Sequence, residues 1–160
     1  MKIQEGELLL DHDERTIRPE IFRRLEGDPT PHLSARQCSD CGDISFPPYR
    51  HCLKCSSQKE TVEKTLSNEG ILASYTIARQ VMPGFYPGYI LANVRMKDDP
   101  SLVLVAQLTD VRQEDVAIGM ELTMVPKIIK TLMNGEKVVS YCFRPKDPRK
   151  VALGEGGQAG

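Results

Sequence analysis

Four of the chain's five cysteines stand in two Cys-x-x-Cys pairs, Cys38 with Cys41 and Cys52 with Cys55, and ten residues separate the pairs. Two intervening residues let both sulfurs of a pair face one ion while backbone N–H groups turn towards them, and the second pair closes a tetrahedron. Four thiolates leave no open position for a water, so the spacing predicts a structural metal and not a catalytic one; a redox dithiol would need only one pair. An S4 site suits zinc or iron, and zinc is preferred. Gly42 follows the first pair, where a knuckle turn needs positive φ, and Ser56 and Ser57 follow the second. His51, beside Cys52, is a rival ligand, but with four cysteines in place it reads as a loop histidine.

The remaining reactive side chains form no catalytic pattern. The sequence holds no Gly-x-Ser-x-Gly elbow, no His-Glu-x-x-His, no phosphate-binding loop and no dinucleotide glycine pattern. Acyl transfer through a thiol needs a nucleophilic cysteine with a histidine base in reach. The fifth cysteine, Cys142, lies inside the strand-like run SYCFR and reads as a small buried thiol. His12, His32 and His51 all precede the β-rich half of the chain. Asp98-Asp99 and Glu114-Asp115 sit where turns and caps account for them. No catalytic residue is assigned, and the chain is expected not to be an enzyme on its own.

A binding surface is better marked. The segment VMPGFYPGY carries Pro83-Gly84 and Pro87-Gly88, each suited to a type II turn, and these turns display Phe85, Tyr86 and Tyr89. Arg79, Arg95, Lys127 and Lys130 could supply positive charge for an anionic ligand beside this loop. A solvated strand face accounts for the basic residues equally well, and a partner subunit for the aromatics.

These groups need elements to hold them. Residues 71–81 (ILASYTIARQV), 89–97 (YILANVRMK), 102–110 (LVLVAQLTD), 121–131 (ELTMVPKIIKT) and 138–146 (VVSYCFRPK) read as five strands. Asp98, Asp99 and Pro100 mark a turn, and Asn134-Gly135 signals a two-residue hairpin. Between the third and fourth strands, Asp110 is placed to cap a short helical turn through VRQEDVA, with Gln113 in the capping-box position and Gly119 at the exit. Pro126 argues for a bulge or an edge in the fourth strand. Five strands interrupted in this way fit an OB-fold barrel. In residues 18–27 (RPEIFRRLEG), Ile21, Phe22 and Leu25 fall on one face of a short helix, too short to be stable unaided. The expected organisation is an N-terminal segment with that helix (1–32), a zinc ribbon (33–66), the OB-fold (67–146) and a Gly-rich disordered tail (147–160).

With 21 Lys and Arg against 22 Asp and Glu, the chain presents no strong field to phosphates or anionic lipid, which disfavours an electrostatic nucleic-acid binder. The N-terminus resembles no signal peptide, and the longest apolar run, residues 102–106, is far too short to span a membrane. A soluble cytoplasmic protein is expected, and its paired cysteines favour metal over disulfides.

Taken together, CSDCG, the following ISFPPYRHCLKC, Gly70 opening the first barrel strand, AIGMEL and the closing YCFRP resemble a family of OB-fold proteins with a rubredoxin-like zinc ribbon that accompany acyl-CoA enzymes. The resemblance runs from Pro19 to Pro145. It implies a noncatalytic accessory subunit of an acyl-CoA-processing complex, a thiolase first of all, which stabilises a thiolase-fold catalytic subunit in a hetero-oligomer and shapes acyl-CoA binding at or near the interface. Arg79, Arg95, Lys127 and Lys130 would then meet the phosphates of coenzyme A, and Phe85, Tyr86 and Tyr89 its pantetheine or the partner. An accessory subunit of an acyl-CoA hydratase is the alternative within the family. A single-stranded nucleic-acid module is the alternative outside it, since OB-folds stack bases on aromatics in basic grooves.

Overall fold

The computed structural model describes residues 1–4 and 7–147. All but the first residue of the expected disordered tail lies outside the described residues. Among the described residues twelve strands run in order: β1 (Lys2–Gln4), β2 (Glu7–Leu9), β3 (Glu14–Thr16), β4 (Phe22–Arg23), β5 (His32–Gln37), β6 (Ile44–Ser45), β7 (Val62–Thr65), β8 (Glu69–Ile77), β9 (Ile90–Met96), β10 (Val103–Leu108), β11 (Glu121–Thr131) and β12 (Lys137–Pro145). One 3-10 turn, Gln113–Asp115, lies between β10 and β11.

The last five strands close a barrel. β8, β9 and β10 form an antiparallel meander, β11 pairs antiparallel with both β8 and β12, and β12 returns parallel to β10. This is the OB-fold connectivity. Alternation supplies the interior: Ala92, Val94 and Met96 on β9, and Leu104, Ala106 and Leu108 on β10, point inward with exposed or half-exposed residues between them. Gly70 is required where β8 crosses β9, because a Cβ there would lie 2.4 Å from Val94 Cγ1. Pro126 is buried and opposite Tyr141, yet β11 pairs with β8 only through Thr123, so its missing N–H falls on an open edge. A register shift follows between Ile128 and Lys130. At the end of the barrel, Glu69 bridges Lys146 at 2.6 Å and Lys97 at 3.2 Å, and Lys97 also reaches Glu121 at 2.7 Å.

Two turns differ in detail from expectation. The β11–β12 connection is a three-residue loop: Leu132 N–H donates to Glu136 O at 2.8 Å, and Gly135 alone carries positive φ, at 85°. Asn134 therefore does not take the left-handed geometry of a two-residue turn. Asp110 is not a cap either. It adopts φ 57° and faces Lys127 at 3.4 Å, while Gln113 spends its side chain on the carbonyl of Gly88 at 2.8 Å.

The N-terminal helix is not formed, and the described residues contain no α-helix. Pro19 and a left-handed Glu20 (φ 55°) turn the chain into β4, where Phe22 pairs with Leu33 and the Ser34 N–H donates to Ile21 O at 2.9 Å. The apolar spacing that suggested a helix is met by a strand that buries Ile21 and leaves Leu25 outside. With ten residues available, strand pairing offers backbone partners that one or two helical turns could not hold alone.

Ribbon and barrel share one core. β5 is central to the ribbon, flanked by β4, β6 and β7, and Leu33 and Leu66 belong to the same buried cluster as Leu72, Val94 and Phe143. Buried Asn68 (φ 65°) ties the two: its Nδ2 donates to Pro31 O at 2.8 Å, its Oδ1 accepts from Leu33 N–H at 3.3 Å, and its carbonyl accepts from Met124 N–H at 2.8 Å. Buried His32 places Nδ1 2.8 Å from Leu66 O and Nε2 2.7 Å from Asp28 Oδ2. No helix among the described residues is long and apolar enough to cross a membrane.

Candidate functional site

The metal centre is built by two knuckles of matched geometry. In the first, Cys38 N–H donates to Asp43 O and Gly42 N–H to Cys38 O, both at 2.9 Å, with Gly42 at φ 76°. In the second, Ser56 takes the corresponding left-handed position after Cys55, at φ 54°. The four Sγ atoms lie within 4.8 Å of one another, with Cys38 3.6 Å from Cys55 and Cys41 3.6 Å from Cys52. A tetrahedron with Zn–S of about 2.3 Å has edges of about 3.8 Å, close to these separations, so the donor set fits zinc. His51 is outside it, exposed and bridged to Glu60.

The electrostatics of the centre explain why it takes a cation. Backbone N–H groups of Cys55 and Lys54 aim at the Cys52 sulfur and bring that thiol down to about 7. At Cys55 the N–H of Ser57 pulls the same way, but the neighbouring thiols of Cys41 and Cys38, with burial, push it up to about 12. Cys41 is also raised, the Asp43 N–H and the Cys55 sulfur being outweighed by burial and by the sulfurs of Cys52 and Cys38. These opposed shifts among adjacent thiols are a conflict that a divalent cation relieves by binding the deprotonated sulfurs. Asp40, bonded by Lys59 at 2.6 Å and Ser57 at 2.5 Å, straps the two knuckles together from outside.

Cys142 is unlike these. It is 2% exposed on β12, and burial pushes its thiol up to about 12, the reverse of an activated nucleophile.

The aromatic loop between β8 and β9 is ordered by its glycines. Phe85 N–H donates to Met82 O at 3.2 Å across Pro83-Gly84, with Gly84 at φ 91°, which is a type II turn. Gly84 lies so close to β11 that a Cβ would be 2.5 Å from Thr131 O. The Gly88 and Ala78 N–H groups fasten the loop base to Ala78 O and Tyr89 O. Phe85 lies 5.8 Å from Tyr89 and beneath Lys130, whose Nζ is 5.3 Å from the ring centroid. Tyr86 and Met82 stay outside, 74% and 72% exposed.

Phe85, Tyr89 and Lys130 are thus brought together, with Tyr86 beside them. Arg79 sits exposed at the loop base. Lys127 is paired with Asp110 instead. Arg95 is separated from the group: it lies five residues along β9 from Ile90, roughly 17 Å at strand rise, towards the opposite end of the barrel.

Comparison with known proteins fits this architecture. Residues 25–61 match the family described as "ChsH2, rubredoxin-like zinc ribbon domain", and residues 63–126 match "ChsH2, C-terminal OB-fold domain". A DUF35 domain-containing scaffold protein of Pyrococcus furiosus is 36% identical over 107 residues, 65% of this chain and 76% of the relative. The chain belongs to the DUF35 family. A family member of the same description from Methanocaldococcus jannaschii is 28% identical over 112 residues, covering 69% of this chain and 77% of that one. The solved structure of an Ltp2-ChsH2(DUF35) aldolase has the same fold, with a TM-score of 0.57 at 22% identity over 72% of this chain and 86% of that one. The ribbon match contains all four cysteines; the OB-fold match contains Arg79, Phe85, Tyr86, Tyr89 and Arg95 and ends before Lys127 and Lys130.

Sequence reasoning missed the junction. His32 and Asn68 act on Leu66 O, Pro31 O and Leu33 N–H, backbone groups that only the fold brings to them and that leave no spacing signature, while Asp28 reaches His32 locally, four residues away.

Proposed function

We propose that the chain is a noncatalytic, zinc-containing subunit that scaffolds a cytoplasmic acyl-CoA-processing complex, with a thiolase-fold catalytic subunit as its partner and acyl-CoA at or near their interface. The observation that carries this reading is the loop at residues 78–89. Its backbone is fixed by two glycine turns and by β11, yet it leaves Met82 and Tyr86 in solvent, and the hairpin that follows β11 leaves Met133 fully exposed. A rigid display of large apolar side chains is what a protein interface requires, and aromatics on such displays dominate binding energy. The scaffold description of the family's archaeal relatives supports the same role. In this arrangement the zinc centre holds a lobe rigid and takes no part in chemistry, and Cys142 is structural.

A second reading keeps the scaffold and changes the partner, since the solved relative is an aldolase assembly. Both are tested by recovering the chain with its native partner and identifying that partner. The double variant Phe85→Ala/Tyr86→Ala should retain zinc and lose partner affinity by about 30-fold or more, on the order of 2 kcal/mol for buried aromatic anchors. Unchanged affinity would move the interface off this loop. A thiolase-fold partner supports the first reading and an aldolase the second.

A further inference from the structure

A cleft of about 420 Å³ opens where the N-terminal segment, the ribbon and β12 meet, and its lining includes neither a zinc ligand nor a residue of the aromatic loop. Its volume falls in the range of small-molecule sites, roughly 300–1,000 Å³, and such sites favour junctions between substructures. The walls are apolar: Ile21, Phe46, Pro47 and Tyr141, with Phe46 and Tyr141 in edge contact at 5.2 Å. The polar lining is unequal in its commitments. Arg23 is bound to Glu63 and, at 2.9 Å, to Ser34 Oγ, and Arg36 is bound to Thr61. Arg18 has no ion-pair or hydrogen-bond partner among the described residues, and neither has the Tyr141 hydroxyl. Both line the cleft, where burial raises Tyr141 and the Arg18 charge opposes that rise.

We propose that this cleft binds a small amphipathic monocarboxylate, its apolar body between Ile21, Phe46 and Pro47 and its carboxylate on the Arg18 guanidinium and the Tyr141 hydroxyl. An unpaired guanidinium over an apolar cavity selects for a planar anion, which it meets with paired N–H donors. The charge of the lining limits that anion. Arg18, Arg23 and Arg36 against Glu20 and Glu63 leave one net positive charge, which suits a single carboxylate and repels a polyphosphate through its two acids. Because the walls come from three parts of the chain, a bound ligand also braces the ribbon on the barrel.

The test is an amide and methyl NMR titration of the full-length, zinc-loaded protein with octanoate and phenylacetate, beside octan-1-ol, phenylacetamide and adenosine 3′,5′-bisphosphate. Saturable shifts should be confined to the neighbourhood of Ile21, Phe46 and Tyr141, with a dissociation constant on the order of 1 mM or tighter for ligands of this size. Arg18→Gln, a change on an exposed residue, should weaken the carboxylates about tenfold, as for loss of a hydrogen bond to a charged group, and leave the neutral analogues unchanged. Tyr141→Phe should weaken them less, with zinc content intact. Absence of saturable binding, shifts elsewhere, equal binding of neutral analogues, an Arg18→Gln protein that binds like the parent, or tighter binding of the bisphosphate in the cleft would each overturn the assignment.

Discussion

Ribbon and barrel are both mainly antiparallel β-structure, but different forces hold them. The barrel strands β8 to β12 run from six to eleven residues and close on an interior that includes Phe143, Leu122 and Leu72, none measurably exposed. The ribbon strands β4 to β7 run from two to six residues. Its apolar residues Ile21, Leu33, Ala35, Ile44 and Leu66 join the barrel's cluster and form none of their own. Beyond β5, residues 38–61 bury only Cys38, Ile44, Cys52 and Thr61. The ribbon is therefore two things: a proximal half anchored on the barrel by ordinary burial, and a distal half with no core, whose order depends on the metal. A segment of that size with so little apolar burial needs a crosslink.

The largest effect should come from separating these halves. Chelating the metal, or changing Cys55→Ser or Cys38→Ser, removes a contribution on the order of 10 kcal/mol to the ordering of the ligand loops, since binding and folding are coupled in such sites. Hydrogen exchange should then show residues 38–61 unprotected while β8 to β12 keep their protection. Barrel amides that open together with the knuckles would show that one cooperative unit, and not two, is present.

A smaller effect is expected at the junction. Asn68 satisfies a buried carbonyl and a buried N–H from the ribbon, and truncating it leaves both without partners. Asn68→Ala should cost about 1–3 kcal/mol from the unsatisfied groups, plus about 1–2 kcal/mol for placing alanine at φ 65°. Asn68→Gly lacks the second penalty, so the gap between the two variants in urea denaturation measures it. Loss of stability without loss of zinc is the expected pattern. Equal stability of Asn68→Ala and the parent would make the junction energetically idle.

How much of this the sequence discloses follows from range. The zinc ligands are legible because a knuckle is a local device, its ligands and its left-handed residue set within five positions. The barrel strands are legible by alternation, and residues 121–131 coincide with β11. The segment 18–27 misleads because Ile21, Phe22 and Leu25 satisfy a helical face and an edge strand alike, and only Leu33 across the ribbon decides between them. The Asn134-Gly135 turn misleads by one residue, since Gly135 supplies positive φ to either loop length. The aromatic loop is legible as a display, but the sequence could not tell that Lys130 comes to it while Arg95 lies far along β9. The Arg18 cleft is invisible in one dimension, being made by three separate segments.

The smallest expected effect tests the proximal half by acid. Asp28 accepts the Thr30 hydroxyl at 2.6 Å and the Thr30 N–H at 2.8 Å, and its other oxygen faces buried His32. These bonds, those from Thr30 first, bring its carboxyl from 3.8 down to about 2. A carboxyl depressed in the folded state binds protons less readily there than in the unfolded chain. Its contribution is whole above the unfolded value near 4, declines as pH falls from there, and is gone once the folded value near 2 is passed. Asp28→Asn keeps an acceptor for Thr30 and cannot titrate, so the parent should lose stability relative to the variant across that window and nowhere above it. Acid also releases zinc by protonating thiolates, but it does so in both proteins, and the difference between their melting temperatures at matched metal content isolates Asp28. The effect should be small, because the carboxylate is about a third exposed and water screens it. Parallel pH profiles for the two proteins would mean that His32 is held by Leu66 O and its packing alone, and that the proximal ribbon owes nothing to this charge.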